Sequence, residues 1–168
     1  MIFVTVGTQL PFDRLVRAVD KWASKAAKFD VFAQTGESKY APSTISSSNY
    51  LGVNEFDRKV GSAELLISHA GMGSIITAME MSKPIVIMPR EAKFGEHRND
   101  HQLATVNKFR KLSNVFVAES EEHLAQAIDA ALSANDITVA SELTSRQALI
   151  SSISSFIGSN EMPARLSA

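Results

Sequence analysis

Two clusters in this chain have residue types and spacing suited to chemistry. The first is His69-Ala70-Gly71-Met72-Gly73-Ser74, which follows the apolar run Leu65 to Ser68 and opens a helical segment. A second apolar run, Ile85 to Met88, comes after that segment. Where a strand hands over to a helix, free backbone N–H groups and the positive end of the helix dipole favour an anion such as a diphosphate. Gly71 and Gly73 let the backbone approach it, and Ser74 can cap the helix or donate to an oxygen. Two glycines fit equally well in an ordinary tight turn that binds nothing, so the glycines alone leave both readings open.

The second cluster is the polar stretch Pro89 to Gln102, with Arg90, Lys93 and Arg98, His97 and His101, and Asn99 and Gln102. A solvated surface loop is one reading. A functional loop is the other, because long irregular segments that follow a strand in a compact domain tend to carry sites. His97 and His101 stand four apart, but Asn99 and Asp100 between them favour a helix start. No third ligand is in view, so no metal site is expected.

Short apolar runs alternate with amphipathic segments and must position these clusters. Ile2 to Val6 reads as a buried strand, and Phe12, Leu15, Val16, Val19 and Trp22 recur at helical spacing after it. Phe29 to Gly36 reads as a strand ending in a loop. Tyr50 to Val53 is predicted as a third strand, reached through the serine-rich connection Ser43 to Ser48. Leu65 to Ser68, Ile85 to Met88 and Val115 to Ala118 complete the strands. Helices are predicted around Asp100 to Lys111, Glu121 to Leu132 and Val139 to Ile157. Residues 1–157 are expected to form one domain and 158–168 a flexible tail.

Such alternation predicts an α/β fold, a doubly wound parallel sheet covered on both faces. Ligands bind such sheets beyond the carboxyl ends of the strands, near the switch point. The loops of interest are then Gly7 to Pro11, Gln34 to Glu37, His69 to Ser74 and Pro89 to Gln102.

Composition sets mild limits. A formal net charge of −1 argues against broad binding to nucleic acid. With no cysteine, disulfides and thiolate metal sites are excluded. No stretch approaches the roughly 18 apolar residues of a membrane span, so a soluble, cytoplasmic protein is expected.

SHAGMGSIITAMEMSKPIVIMPR, then GEHRNDHQLATVNKF, together with the opening VTVGTQLPFDRLVRAVD, resemble the C-terminal, donor-binding domain of family 28 glycosyltransferases. The small stand-alone members are most similar. They include catalytic subunits of two-component N-acetylglucosaminyltransferases acting on dolichol-linked sugar, and subunits of bacterial exopolysaccharide glycosyltransferases. The resemblance covers about Met1 to Leu132. It implies a Rossmann-like half of a GT-B enzyme that binds a UDP-sugar as donor substrate, with no metal or other cofactor. It places Ala70, Gly71, Met72, Gly73 and Ser74 on the diphosphate, with His69 closing the turn. Gln34 to Gly36 would lie near the uracil or phosphates, and His101 and Gln102 would face the sugar hydroxyls. Arg90 and Asn99 would line the same loop, and Thr8 and Gln9 would look toward the acceptor.

Two positions depart from the family pattern. Thr77 stands where many relatives carry a ribose-binding carboxylate, and Glu80 follows three residues later as a substitute or a surface residue. Thr105 stands where relatives often have Asn. The chain also carries no obvious base and no acceptor half. The resemblance therefore implies a membrane-attached partner that supplies the half binding a lipid-linked glycan acceptor, and a peripheral location at the membrane. Inverting transfer of a hexose by in-line attack would follow. A non-catalytic enhancer subunit and an epimerase-like Rossmann domain are the alternatives. The C-terminal helix could pack on its own sheet or dock the partner.

Overall fold

A computed structural model describes residues 1–26 and 29–135. Six strands form one parallel sheet: β1 (Ile2–Thr5), β2 (Val31–Gln34), β3 (Ser46–Ser48), β4 (Leu65–His69), β5 (Ile85–Met88) and β6 (Val115–Val117). Their spatial order is β3-β2-β1-β4-β5-β6, so the chain starts at the centre, winds to one edge and returns to wind to the other. The reversal falls between β1 and β4, and a crevice opens there beyond the strands' carboxyl ends.

Both faces of the sheet are covered, which explains why its central strands read as unbroken apolar runs. On one face Ile2, Val4, Leu65, Ile67, Val86 and Met88 pack with helices α1 (Asp13–Lys25) and α5 (Glu121–Asn135). On the other, Phe3, Leu66, Ile85 and Ile87 pack with α2 (Val53–Ser62), α3 (Met72–Glu80) and α4 (His101–Phe109). A short 3₁₀ turn, Ala92–Phe94, lies in the loop between β5 and α4.

One predicted strand is corrected. Tyr50 to Val53 is not a strand: the third strand is Ser46–Ser48, inside the presumed connection, and Val53 begins α2. As an edge strand β3 needs apolar anchoring on little of its length, and buried Ile45 just before it supplies that. Helix α2 shows only Phe56 and Val60 at helical spacing among polar neighbours. Both turn inward, and the Phe56 ring meets Phe3 edge-on at 5.4 Å between centroids. The predicted helix Val139 to Ile157 and the tail 158–168 lie outside the described residues.

A buried carboxylate fixes the path into β3. Asp20, on the core side of α1, accepts from Tyr40 Oη at 2.7 Å and from the backbone N–H groups of Ser43, Thr44 and Ile45 at 3.0, 2.8 and 3.2 Å. Burial pushes its carboxyl up, but the hydrogen bonds from Ser43, Tyr40, Thr44 and Ile45 outweigh this and hold it below the usual carboxylate range. Replacing Asp20 with Ala leaves the Ser43, Thr44 and Ile45 N–H groups without their acceptor. Urea unfolding is expected to show a loss of about 3 kcal/mol. A change within about 0.5 kcal/mol would contradict this role.

Candidate functional site

Helix α3 starts at the switch point without a side-chain cap, because its N-cap residue is Gly71. The turn's first two N–H groups are occupied. Ala70 donates to the Met88 carbonyl at 3.0 Å and Gly71 to the His69 carbonyl at 2.8 Å. Helical bonding begins when Ile75 donates to the Gly71 carbonyl at 3.2 Å. The N–H groups of Met72, Gly73 and Ser74 lie in the first turn, where no intrahelical acceptor exists, and they point out of the helix end together with its dipole. The set of open donors is thus narrower than the motif: three consecutive N–H groups, with Ala70 and Gly71 serving the turn.

The glycines act differently from one another. The His69 ring lies between Gly7 and Gly71. A Cβ on Gly7, whose φ is +76°, would sit 2.8 Å from His69 Cε1, and one on Gly71 would overlap His69 Nε2. Glycine is required at both places so that the ring can lock the β1 loop against the β4 turn. Gly73 has nothing within 4 Å of a Cβ, so its lack of a side chain keeps the space before the helix start open rather than accommodating the protein.

His69 is held in one tautomer. Its Nδ1 lies 3.1 Å from Ser68 Oγ, whose hydroxyl donates to the Thr5 carbonyl at 2.9 Å, so Nδ1 carries the proton and Nε2 the lone pair. Burial, and next the charge of Arg90, push its pKa down to about 4, so the ring is neutral at pH 7.

Arg90 is almost fully buried. Its guanidinium donates to the carbonyls of Val6 and Leu10 at 2.7 Å each, and to that of Gln9. Its backbone N–H donates to Gln102 Oε1 at 3.0 Å. Burial lowers its pKa to about 10, with Glu96 opposing the shift; the group stays cationic at neutral pH. The loop that Arg90 grips contains Leu10 at φ +52°, a costly conformation for a non-glycine residue that these three bonds hold in place. Beside it, Gly7 N–H donates to Thr5 Oγ1 at 3.2 Å, and that hydroxyl donates to Gln34 Oε1 at 3.0 Å. The Gln34 carbonyl oxygen is thereby fixed, leaving the amide's N–H groups as its outward donors.

The long loop is also tied down. Arg14 grips Glu96 through two bonds of 2.7 Å, donates to the Pro89 carbonyl at 2.9 Å and reaches Glu121 at 3.2 Å. Such forked arginine–carboxylate pairing is geometrically specific and strong when half-buried. It places the loop as a wall of the crevice.

The resulting cleft, about 650 Å³, is lined by Thr8, Gln34, His69, Gly71, Met72, Gly73, Ser74, Thr77, Arg90 and Gln102 from the expected set. Gly36, Ala70, Glu80, Asn99 and His101 do not line it. Gly36, at φ +57°, is buried against Val6 and shapes the loop after β2. His101 and Gln102 are successive helix residues, about 100° apart around α4. Gln102 turns in; His101 turns out, and its ring meets that of His97 edge-on at 5.0 Å. Glu80 sits about 4.5 Å further down α3 than Thr77, at the exposed end. Leu51, Val53, Phe56 and His97 also line the cleft, and sequence reasoning assigned none of them a role. Leu51 and Val53 fell in the stretch read as a strand, and Phe56 went unnoticed with α2. No group of three or more His, Asp or Glu placed to hold a metal occurs among the described residues.

Fold and site together define a Rossmann-like half-domain whose switch-point helix starts uncapped beside a cleft. The chain belongs to the glycosyltransferase family 28 C-terminal domain, which its residues 1–152 match. It is 29% identical over 126 residues to the human UDP-N-acetylglucosamine transferase subunit ALG13, covering 68% of this chain but only 11% of that protein. The NMR structure of ALG13 is similar with a TM-score of 0.60 at 17% identity, covering 90% of this chain and 93% of that one. The glycotransferase of kitacinnamycin is similar with a TM-score of 0.65 at 16% identity; this chain matches 43% of it, a single half of a GT-B enzyme. At those identities the two structures speak to fold alone.

The buried, neutral His69 makes stability depend on acid. Its folded pKa, about 4, lies below the unfolded value of 6.5, so the unfolded chain binds more protons between those values. Stability is full above pH 6.5 and falls as pH drops toward 4, by about 3 kcal/mol from this group. Urea unfolding across that range should show a steeper decline for the natural chain than for His69→Gln. Parallel curves would contradict it.

Proposed function

We propose that this chain is the donor-binding, catalytic subunit of an inverting, UDP-sugar-dependent glycosyltransferase that works with a membrane-attached acceptor-binding partner. The observation that carries this reading is the uncapped start of α3, whose first-turn residues Met72, Gly73 and Ser74 line the cleft. In this reading those donors hold the diphosphate and stabilise the charge that develops as it leaves, without a metal. Family membership and the name of the human relative, a UDP-N-acetylglucosamine transferase subunit, support the same assignment.

The cleft's chemistry divides suitably along its length. Leu51, Val53 and Phe56 offer an apolar wall for the uracil ring, with the Gln34 amide to donate to a uracil oxygen or a phosphate. Thr77 meets the ribose in place of a carboxylate. Gln102 takes the hexose hydroxyls, and Thr8 and Gln9 face the incoming acceptor. An acceptor hydroxyl attacks the anomeric carbon in line, the configuration inverts, and UDP departs onto the α3 terminus. The acceptor half, and the base that takes the hydroxyl proton, come from the partner, through which a lipid-linked glycan is reached. No helix among the described residues is long and apolar enough to cross a membrane, which suits a subunit recruited through another chain. The absence of any carboxylate from the cleft lining also favours a second reading, in which the chain binds nucleotide sugar and enhances its partner without doing chemistry itself.

Gly73 provides a clean test, because a Cβ there has nothing within 4 Å. Gly73→Val is expected to leave the melting temperature nearly unchanged. It should weaken UDP binding, measured by calorimetry without added metal, by at least about a hundredfold, since both the space and the approach to the N–H groups are lost. Unchanged UDP affinity would overturn the placement of the diphosphate.

A further inference from the structure

The groups that meet the ribose of a bound nucleotide decide whether ribose and deoxyribose are told apart. Two neighbouring ribose hydroxyls bring two protons, and an ionised carboxylate is the side chain that accepts both strongly. Among the described residues no Asp or Glu lines the cleft. Two of its three amide side chains turn their oxygens into the protein. Gln34 Oε1 accepts from Thr5 Oγ1 at 3.0 Å, and Gln102 Oε1 accepts from the Arg90 N–H at 3.0 Å. What these two amides keep for a ligand are N–H donors. The third, Gln9, belongs to the loop after β1, which the proposed reading turns toward the acceptor.

Thr77 is the polar residue left for the ribose. It follows Ser74 by three residues, on the same side of α3 and about 4.5 Å further along its axis. Its hydroxyl makes no hydrogen bond among the described residues and is not sealed from solvent. The apolar part of the lining lies on the same face of the sheet as α3. Leu51, Phe56 and Met72 pack on the core cluster that holds Ile75 and Ala78 of that helix. A lone threonine hydroxyl offers a ribose oxygen one neutral, rotatable bond. When that oxygen is missing, the hydroxyl turns to the remaining one or to water. Loss of a ligand hydroxyl is costly where it strands a buried partner, and Thr77 strands none.

We propose that the nucleotide site is indifferent to the ribose 2′-hydroxyl, with Thr77 as the residue that makes it so. Sugars carried on deoxyribonucleoside diphosphates then bind in the same range as those carried on UDP. This rests on the donor-site reading above, with the diphosphate at the α3 start and the base on the apolar wall, and it widens the substrate class of that site. Thr77 is a specificity residue: it meets the nucleotide and takes no part in the bond that breaks.

Calorimetric titration of the full chain, without added metal, compares UDP with 2′-deoxy-UDP, which differ by that one oxygen. The two dissociation constants are expected to agree within about fivefold, the range of one neutral hydrogen bond. A larger preference for UDP overturns the inference and leaves the donor site standing. Binding of neither nucleotide overturns both. Thr77→Glu, shown to be folded by its melting temperature, installs a charged acceptor and should raise the preference for UDP to at least about tenfold. Thr77→Gln, which brings an uncharged carbonyl, repeats the comparison where the new charge weakens nucleotide binding as a whole, and a smaller rise in the same direction is expected. A preference that neither variant changes takes Thr77 away from the ribose and overturns its assignment.

Discussion

Burying a guanidinium is costly unless its charge and its donors are satisfied, and the Arg90 side chain is satisfied almost wholly by backbone carbonyls. Only its Nε has no hydrogen-bond partner among the described residues. Those carbonyls belong to the loop after β1, while the residue's own backbone sits at the end of β5 and binds Gln102 at the start of α4. One residue therefore joins three walls of the cleft. It also holds Leu10 in its unfavourable conformation, next to Thr8 and Gln9 of the cleft lining. The His69 ring, packed between Gly7 and Gly71, makes the matching connection from β1 to the α3 turn. With both in place, the crevice that the sheet's reversal creates becomes a cleft of fixed shape.

Within that shape, work is divided between backbone and side chains. In the proposed reading the backbone supplies the anion site, three N–H groups that cost no reorganisation when an anion arrives. The motif's best-marked side chains, Arg90 and His69, spend their donors inside the protein and keep the site rigid. Reading Arg90 as a phosphate ligand from its charge alone would miss this. Its chemistry is directed at carbonyls, which leaves the cleft with little fixed positive charge beyond the helix end.

The sheet was largely legible because five of its strands are apolar runs flanked by helical periodicity, and alternation dictates the parallel order. Two pieces were hidden for physical reasons. An edge strand made of serines carries no hydrophobic signal, since one neighbour and a carboxylate on α1 suffice to place it. Helix α2 buries Val60 and packs a half-buried Phe56 beside it, too few for periodicity to stand out, and with it the Phe56 side of the cleft went unseen. At the site, the switch-point turn was readable from its glycines and neighbours. Which of two adjacent residues faces inward was not. His101 and Gln102 are separated only by the helix's rotation, and that angle is set by tertiary packing.

Three backbone donors carry the proposed donor site, and amide chemical shifts report on them directly. A ¹H–¹⁵N titration of the full chain with UDP, without metal, is predicted to shift the Met72, Gly73 and Ser74 amides most, downfield as charged hydrogen bonds form. The Ala70 and Gly71 amides, already bonded within the turn, should move little. Saturable UDP binding that leaves all three α3 amides unmoved, or that shifts Ala70 and Gly71 instead, would contradict the central claim.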